Sequence, residues 1–205
     1  MNSLPPSPDR DKKLQILEGA RSVFLAKGFD GASMGEIARE AGVSKGTLYV
    51  YFESKQLLFA ELVSSEKRQS AEQLFELDAE DHDVARVLGK LGNSYLELML
   101  RPDHVASLRA VIGVAEKFPE VGQALYDAGP RIGIQRLSGY LARQVEAGIL
   151  AIEDIELAAT QFLGMLMNCG VTPTMLASAP PPGKERRKAI IDGAVAVFLA
   201  AYGAG

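Results

Sequence analysis

The sequence predicts an all-α protein: a three-helix N-terminal helix-turn-helix domain followed by a larger helical bundle. Three observations predict it. Apolar residues recur at three- and four-residue spacing through nearly the whole chain. Helix-ending glycines and prolines punctuate that periodicity at Gly28, Gly42, Pro102, Pro119, Gly129-Pro130, Gly148 and "SAPPPG" at 178–183. No segment shows the two-residue alternation and hairpin turn of a strand pair.

The elements follow in order. The proline-rich start, "MNSLPPSPDR", has no apolar core of a signal peptide, and residues 1–11 read as a flexible arm. Leu14, Leu17, Ala20 and Phe24, with Ile16 and Leu25 beside them, predict an amphipathic helix stopping at Gly28. "FDGAS" turns the chain. Ser33 then opens a second helix as the first residue of a capping box completed by Glu36. Gly42 stops that helix, Ser44 opens a third, and "FES" separates it from a fourth beginning near Lys55. Longer segments follow at about 55–77, 83–100, 104–116, 119–128, 130–148, 153–170 and 185–202, with Pro173 expected to end or kink the one before it.

Length and composition set bounds. The 205 residues allow one large domain or a small one with a larger one, and 47% hydrophobic residues suffice for a packed core. The net charge of −4 argues against a generic basic nucleic-acid binder. Residues 1–55 carry 8 Lys and Arg against 7 Asp and Glu, so the acidity belongs to the rest of the chain. The apolar tail "AIIDGAVAVFLAAYGAG" is broken by Asp192 and glycines and is too short to span a bilayer, so a soluble protein is expected, and the single cysteine, Cys169, fits a reducing cytoplasm.

The stretch from 34 to 51 has the layout of a helix-turn-helix. A small residue at Ala38 permits close helix approach, Gly42 permits the positive φ of a sharp turn, and Leu48 points back toward Phe24. On the helix from Ser44, Lys45, Thr47, Tyr49 and Tyr51 are expected to face outward, while Leu48 and Phe52 are expected inside. Lys45 and Lys55 each follow a serine at a helix start, where a cation opposes the helix dipole at a cost of ~0.3–1 kcal/mol. An anion in front would reverse that cost, and DNA phosphates are such anions.

Over residues 12–59 and a little beyond, in "ILEGARSVFLAKGFDGASMGEIAREAGVSKGTLYVYFESKQLLFAEL", the chain resembles the TetR family of bacterial one-component transcriptional regulators. That family joins a three-helix DNA-binding domain to a variable ligand-binding and dimerising helical domain, usually with nine helices, somewhat fewer than the segments read here. The resemblance implies an arm over 1–11, a DNA-binding domain over 12–54 and an effector-binding and dimerisation domain over 55–205. It implies phosphate contacts from Ser33, Lys55, Tyr49 and Tyr51, with tyrosine standing at 51 where many relatives have histidine. It also implies that Ser44, Lys45, Gly46 and Thr47 face the major groove.

The partners that follow are double-stranded DNA with a near-palindromic operator, a small-molecule effector, and a second copy of the chain bound through the last two long helices. Those helices are apolar on more than one face and rich in small residues, including Gly164, Gly193 and Ala201. Tyr95, Met99, Phe118 and Tyr126, with Phe162, Met165 and Asn168, are the candidate lining of a mostly hydrophobic effector pocket. The overall expectation is a repressor released by its effector. The alternative is a helical carrier or enzyme with a vestigial DNA head, although no nucleophile–base pair supports catalysis. An architectural DNA binder fits poorly with the modest charge of the N-terminal part.

The remaining polar features read plainly. No cofactor is expected. His82 in "AEDHDV" reads as a solvated or capping residue and His104 as lying near a helix start, and the two make no metal site. Cys169, in the apolar run "FLGMLMNCGV", is expected to be a small buried residue, and "KERRK" at 184–188 a solvated helix start.

Overall fold

The computed structural model describes residues 8–204. They fold into two compact units, one formed by residues up to 66 with 110–126, the other by 67–109 with 127 onward. The helices are α1 (Pro8–Gly31), α2 (Met34–Glu40), α3 (Lys45–Tyr51), α4 (Lys55–Leu74), α5 (Val84–Met99), α6 (Pro102–Ala115), α7 (Pro119–Ala128), α8 (Pro130–Glu146), α9 (Ile155–Leu166), α10 (Thr172–Ala177) and α11 (Lys184–Tyr202). A π-helical segment, Met167–Val171, joins α9 to α10. No helix among the described residues is long and apolar enough to cross a membrane.

The first unit is built on an aromatic cluster. The Phe24 and Phe59 rings lie 4.8 Å apart, Phe29 and Phe59 5.2 Å, and Phe29 and Phe118 5.4 Å between centroids. Such tilted contacts add to the burial of the rings. Ile16, Leu17 and Ala20 of α1, Ile37 and Ala38 of α2, Leu48 of α3 and Leu58 and Leu62 of α4 complete the core. Val111, Val114 and Val121 close it from α6 and α7. The sequence boundary at 54/55 falls at the first residue of α4, but the compact unit runs on to 66 because Leu58, Phe59, Leu62 and Val63 are buried in it.

Two local readings need correction, and a third is met with a small extension. Residues 8–11, assigned to a flexible arm, form the first turn of α1, where Asp9 and Asp11 favour the positive end of the helix dipole; residues 1–7 of that arm lie outside the described residues. Leu14 and Leu25 are exposed and Val23 is buried in their place, since α1 turns its Ile16–Ala20–Val23 side to the core. The helical geometry of α1 breaks at Gly28, with φ 70 and ψ 177, as the sequence predicts, although one further turn follows it.

Two glycines set how α1, α2 and α3 meet. Gly42 takes φ +65 at the turn between α2 and α3. Gly19 has no such dihedral. It is needed because a Cβ there would stand 2.6–2.7 Å from the backbone N and Cα and the Cβ of Ala41. The sequence signals Gly42 but not Gly19, whose neighbour is 22 residues away.

In the second unit α8 packs on α9, and α11 packs on both α5 and α9. Leu88, Leu91, Leu96, Leu137, Leu141, Leu166 and Phe198 form its interior. Gln144 is fully buried there. Its amide donates to Ala79 O at 3.0 Å, and its carbonyl oxygen lies 2.8 Å from His82 Nδ1, so the 78–83 segment is tied to α8. His82 is therefore exposed yet held, while His104 is buried near the start of α6. Tyr140 donates to Asp81 O at 2.8 Å, and burial with the nearby Asp81 charge pushes its hydroxyl pKa up to about 12. The segment expected at 153–170 runs as α9 into the π turn, and Pro173 sits in the first turn of α10, where a missing N–H costs little. "KERRK" begins α11 as expected.

Gly19→Ala forces two backbones apart and is expected to lower stability by about 1–3 kcal/mol. The check is the urea midpoint, which falls while the slope of the transition stays constant.

Candidate nucleic-acid interface

Three serines start the helices around the turn. Ser33 Oγ accepts from Glu36 N at 3.3 Å and donates to Glu36 Oε2 at 2.9 Å, a variant of the capping box in which the carboxylate meets the hydroxyl. Glu36 is also paired with Lys27, which with the Ser33 bond holds its carboxyl below the usual range. Ser44 Oγ accepts from Thr47 N at 3.0 Å and lies 2.8 Å from Thr47 Oγ1. Ser54 Oγ accepts from Leu57 N at 3.2 Å. Each cap satisfies one amide that the helix itself leaves open.

The faces of α3 divide by angle. At about 100° per residue, Lys45, Gly46, Tyr49 and Val50 spread over one side and Leu48 lies on the other, joined there by Phe52, the C-cap residue whose backbone is extended. The second side is buried, Leu48 at 0% and Phe52 at 5% exposure. The first is open, with Tyr49 at 50% and Val50 at 83%. A Cβ on Gly46 would meet only Ser44 Oγ at 3.7 Å, so nothing inside the chain requires glycine there. The Lys45 side chain folds across Gly35, whose added Cβ would lie 2.8 Å from Lys45 Cε and 3.1 Å from its Nζ, so its ammonium sits beside the first turn of α2. Ser33, Ser44 and Lys45 are exposed and Thr47 half-buried, its hydroxyl engaged by Ser44.

Two residues expected to face outward carry hydrogen bonds within the chain. Tyr51 is half-buried and its hydroxyl donates to Asp9 Oδ1 at 2.5 Å, a bond that raises its pKa. Lys55 is half-buried, with its ammonium on Phe29 O at 2.6 Å and Ala32 O at 2.9 Å. Val50 is the residue the sequence reading missed. Its signal was present, an apolar side chain four positions after Gly46 on the side opposite the buried Leu48.

The seven effector candidates are divided between the two units. Phe118 and Tyr126 belong to the first unit, and the other five to the second. Phe118 is packed on Phe29, and Phe162 is fully buried edge-on to Phe198 at 5.7 Å. Tyr95 is buried with its hydroxyl 3.7 Å from Met167 Sδ, and burial raises its pKa to about 12. Met99 is half-buried at the end of α5. Met165 and Asn168 line an open groove between α9 and α11 with Cys169, Val197 and Ala201. Cys169 is thus exposed, not buried. The apolar run around it predicts burial, but the π turn leaves this residue on the outer face while Gly170 and Val171 take the inner one.

Comparison with known proteins agrees with this architecture. Residues 16–62 match the family model described as bacterial regulatory proteins of the tetR family, and residues 86–204 match that of the AefR-like transcriptional repressor C-terminal domain. A TetR-family transcriptional regulator from Mesorhizobium loti superposes with a TM-score of 0.81 at 27% identity, covering 97% of this chain and all of the other. The flavonoid-responsive regulator FrrA superposes at 0.79 and 29% identity, covering 94% and 97%. Among curated proteins, the fatty acid metabolism regulator protein of Bacillus subtilis is 24% identical, with 73% of this chain and 90% of that protein covered. With both parts of the chain matched and a helix-turn-helix in place, this protein belongs to the TetR family of transcriptional regulators.

Proposed function

We propose that this regulator is a homodimeric repressor that binds a near-palindromic DNA operator and leaves it when a small, mostly hydrophobic effector binds. The observation that carries the reading is the open side of α3, where Lys45, Gly46, Tyr49 and Val50 stand clear of a helix otherwise locked into the core. Lysine reaches guanine acceptors in the major groove, glycine lets the backbone approach, and apolar methyls meet thymine methyls. Ser33 and Tyr49 are the proposed phosphate contacts, with Ser44 and Thr47 at the groove edge.

A second copy gives the operator its symmetry. The groove between α9 and α11 exposes Met165, Val197 and Ala201, and Val197 is 58% exposed. An apolar strip of this kind is best covered by its own two-fold mate, which sets two reading helices about 34–36 Å apart or a multiple of that. For the effector, Tyr95 and Met99, both in the second unit, are the proposed contacts. Helices α4 and α6 each run from one compact unit into the other, and they are the proposed carriers of coupling between effector and reading head. The coupling exists only if the effector binds the two states with different affinity. A carrier or enzyme would instead hold or turn over its ligand with no effect on DNA.

Selection of random duplexes by the purified protein is expected to recover a two-fold-symmetric motif that Lys45→Ala and Tyr49→Ala blur or lose. Absence of any enrichment at low salt refutes the reading. Gly46→Ala is expected to keep or raise the melting temperature while weakening operator binding, the reverse of a structural glycine. Replacing single thymines of the motif by uracil removes one methyl each. At the position met by Val50 the loss is expected to be ~0.8 kcal/mol, about fourfold, in the wild type and absent in Val50→Ala. Val197→Glu is expected to shift the protein from dimer to monomer in sedimentation equilibrium, and an unchanged mass disproves this interface.

A further inference from the structure

Lysines 45 and 55 occupy equivalent places in sequence, each directly after a capping serine, yet their ammonium groups meet different surroundings. Lys45 is exposed. Lys55 spends two of its three N–H donors on backbone carbonyls, Phe29 O and Ala32 O, and its Nζ lies 4.4 Å from the centre of the Phe29 ring. Both carbonyls follow the break in α1 at Gly28, in the stretch where a helix runs out of amide partners for its last C=O groups. A cation there is at the favourable, negative end of α1, which offsets its unfavourable place at the positive end of α4. Ala32 is joined directly to Ser33, the cap of α2, and Lys55 is three residues from Leu58, which is fully buried.

We propose that Lys55 is a positioning residue that ties the Phe29–Ala32 turn to the start of α4 and so fixes where the N-terminus of α2 stands, and that it is not a phosphate ligand. A phosphate could draw this ammonium out only by leaving two carbonyls and the ring face without their cation. The charge at position 55 therefore acts on DNA through α2, whereas Lys45 acts from the surface.

Three measurements on the full chain test this, and only the last rests on the DNA-binding reading above. In the wild type, the Lys55 ¹⁵Nζ signal is expected to show couplings across hydrogen bonds to the Phe29 and Ala32 carbonyl carbons, unchanged when the selected duplex is added. Loss of those couplings on DNA, or their absence in the free protein, overturns the proposal, and this arm needs no variant to fold. In Lys55→Met, which keeps the length and loses the ammonium, amide exchange in the free protein is expected to accelerate over residues 30–37 and not over α3. Unchanged exchange overturns it. Finally, Lys55→Met is expected to lose about tenfold or more in affinity for the duplex, the scale of charge-assisted hydrogen bonds, with the same salt slope as the wild type. A phosphate contact would lower that slope by about one. Should the wild type bind no duplex, the functional reading fails while the first two arms still decide the role of Lys55.

Discussion

Burial of Leu48 and Ile37 against Phe24 and Phe59 is the constraint on which the reading head depends. Helices α2 and α3 have seven residues each, well below the roughly 12–15 at which an isolated helix becomes even marginally stable in water. They exist because one side of each is apolar and has a core to enter. α1, α2 and α3 do not enclose this core by themselves, so α4 supplies Leu58, Phe59 and Leu62, and the end of α6 and α7 supply Val111, Val114 and Val121. The head is thus built from chain separated by more than forty residues, and a change that loosens residues 110–126 alters the support under α3.

The same constraint explains the use of charge. A head this small has little surface to spare, and Asp9, Glu36, Phe29 O and Ala32 O each hold a polar or cationic group in place: Tyr51, Lys27 and Lys55. What is left outward on α3 is Lys45 with Tyr49 and Val50. On the proposed reading, a protein with net charge −4 addresses DNA through a few oriented groups, whereas a strongly basic surface would mainly add sequence-independent affinity.

Much of this was legible in the sequence because it is local. Gly28 and Gly42 mark real breaks, Ser33 and Ser44 are real caps, and each long segment from 55 to 202 is a helix within a few residues of its expected ends. What was not legible depends on partners distant in the chain. Nothing near Gly19 announces Ala41, and nothing near Lys55 announces two carbonyls at 29 and 32. Tyr51 looked outward by its polarity, but Asp9 gives its hydroxyl a partner across α1. Helical angle alone could have separated Val50 from Leu48, yet an apolar residue is ordinarily assigned to the core before its angle is considered.

Cys169 shows the limit of that habit most clearly. Hydrophobicity of a window measures how much apolar surface must leave water, and says nothing about which surface covers it. In "FLGMLMNCGV", Phe162, Leu163 and Leu166 are covered by their own unit, while Met165 and Cys169 face the groove beside Val197. The two sets alternate along one helix and its π continuation, so the run is apolar on both sides for two different reasons. The same holds for α11, where Ile190, Ile191, Ala194 and Phe198 face in and Val197 and Ala201 face out. A sequence that is apolar on both sides of its last two long helices, in a chain that buries only one side of each, is therefore read most economically as having been shaped by two interiors, its own and the one it would share with a copy of itself.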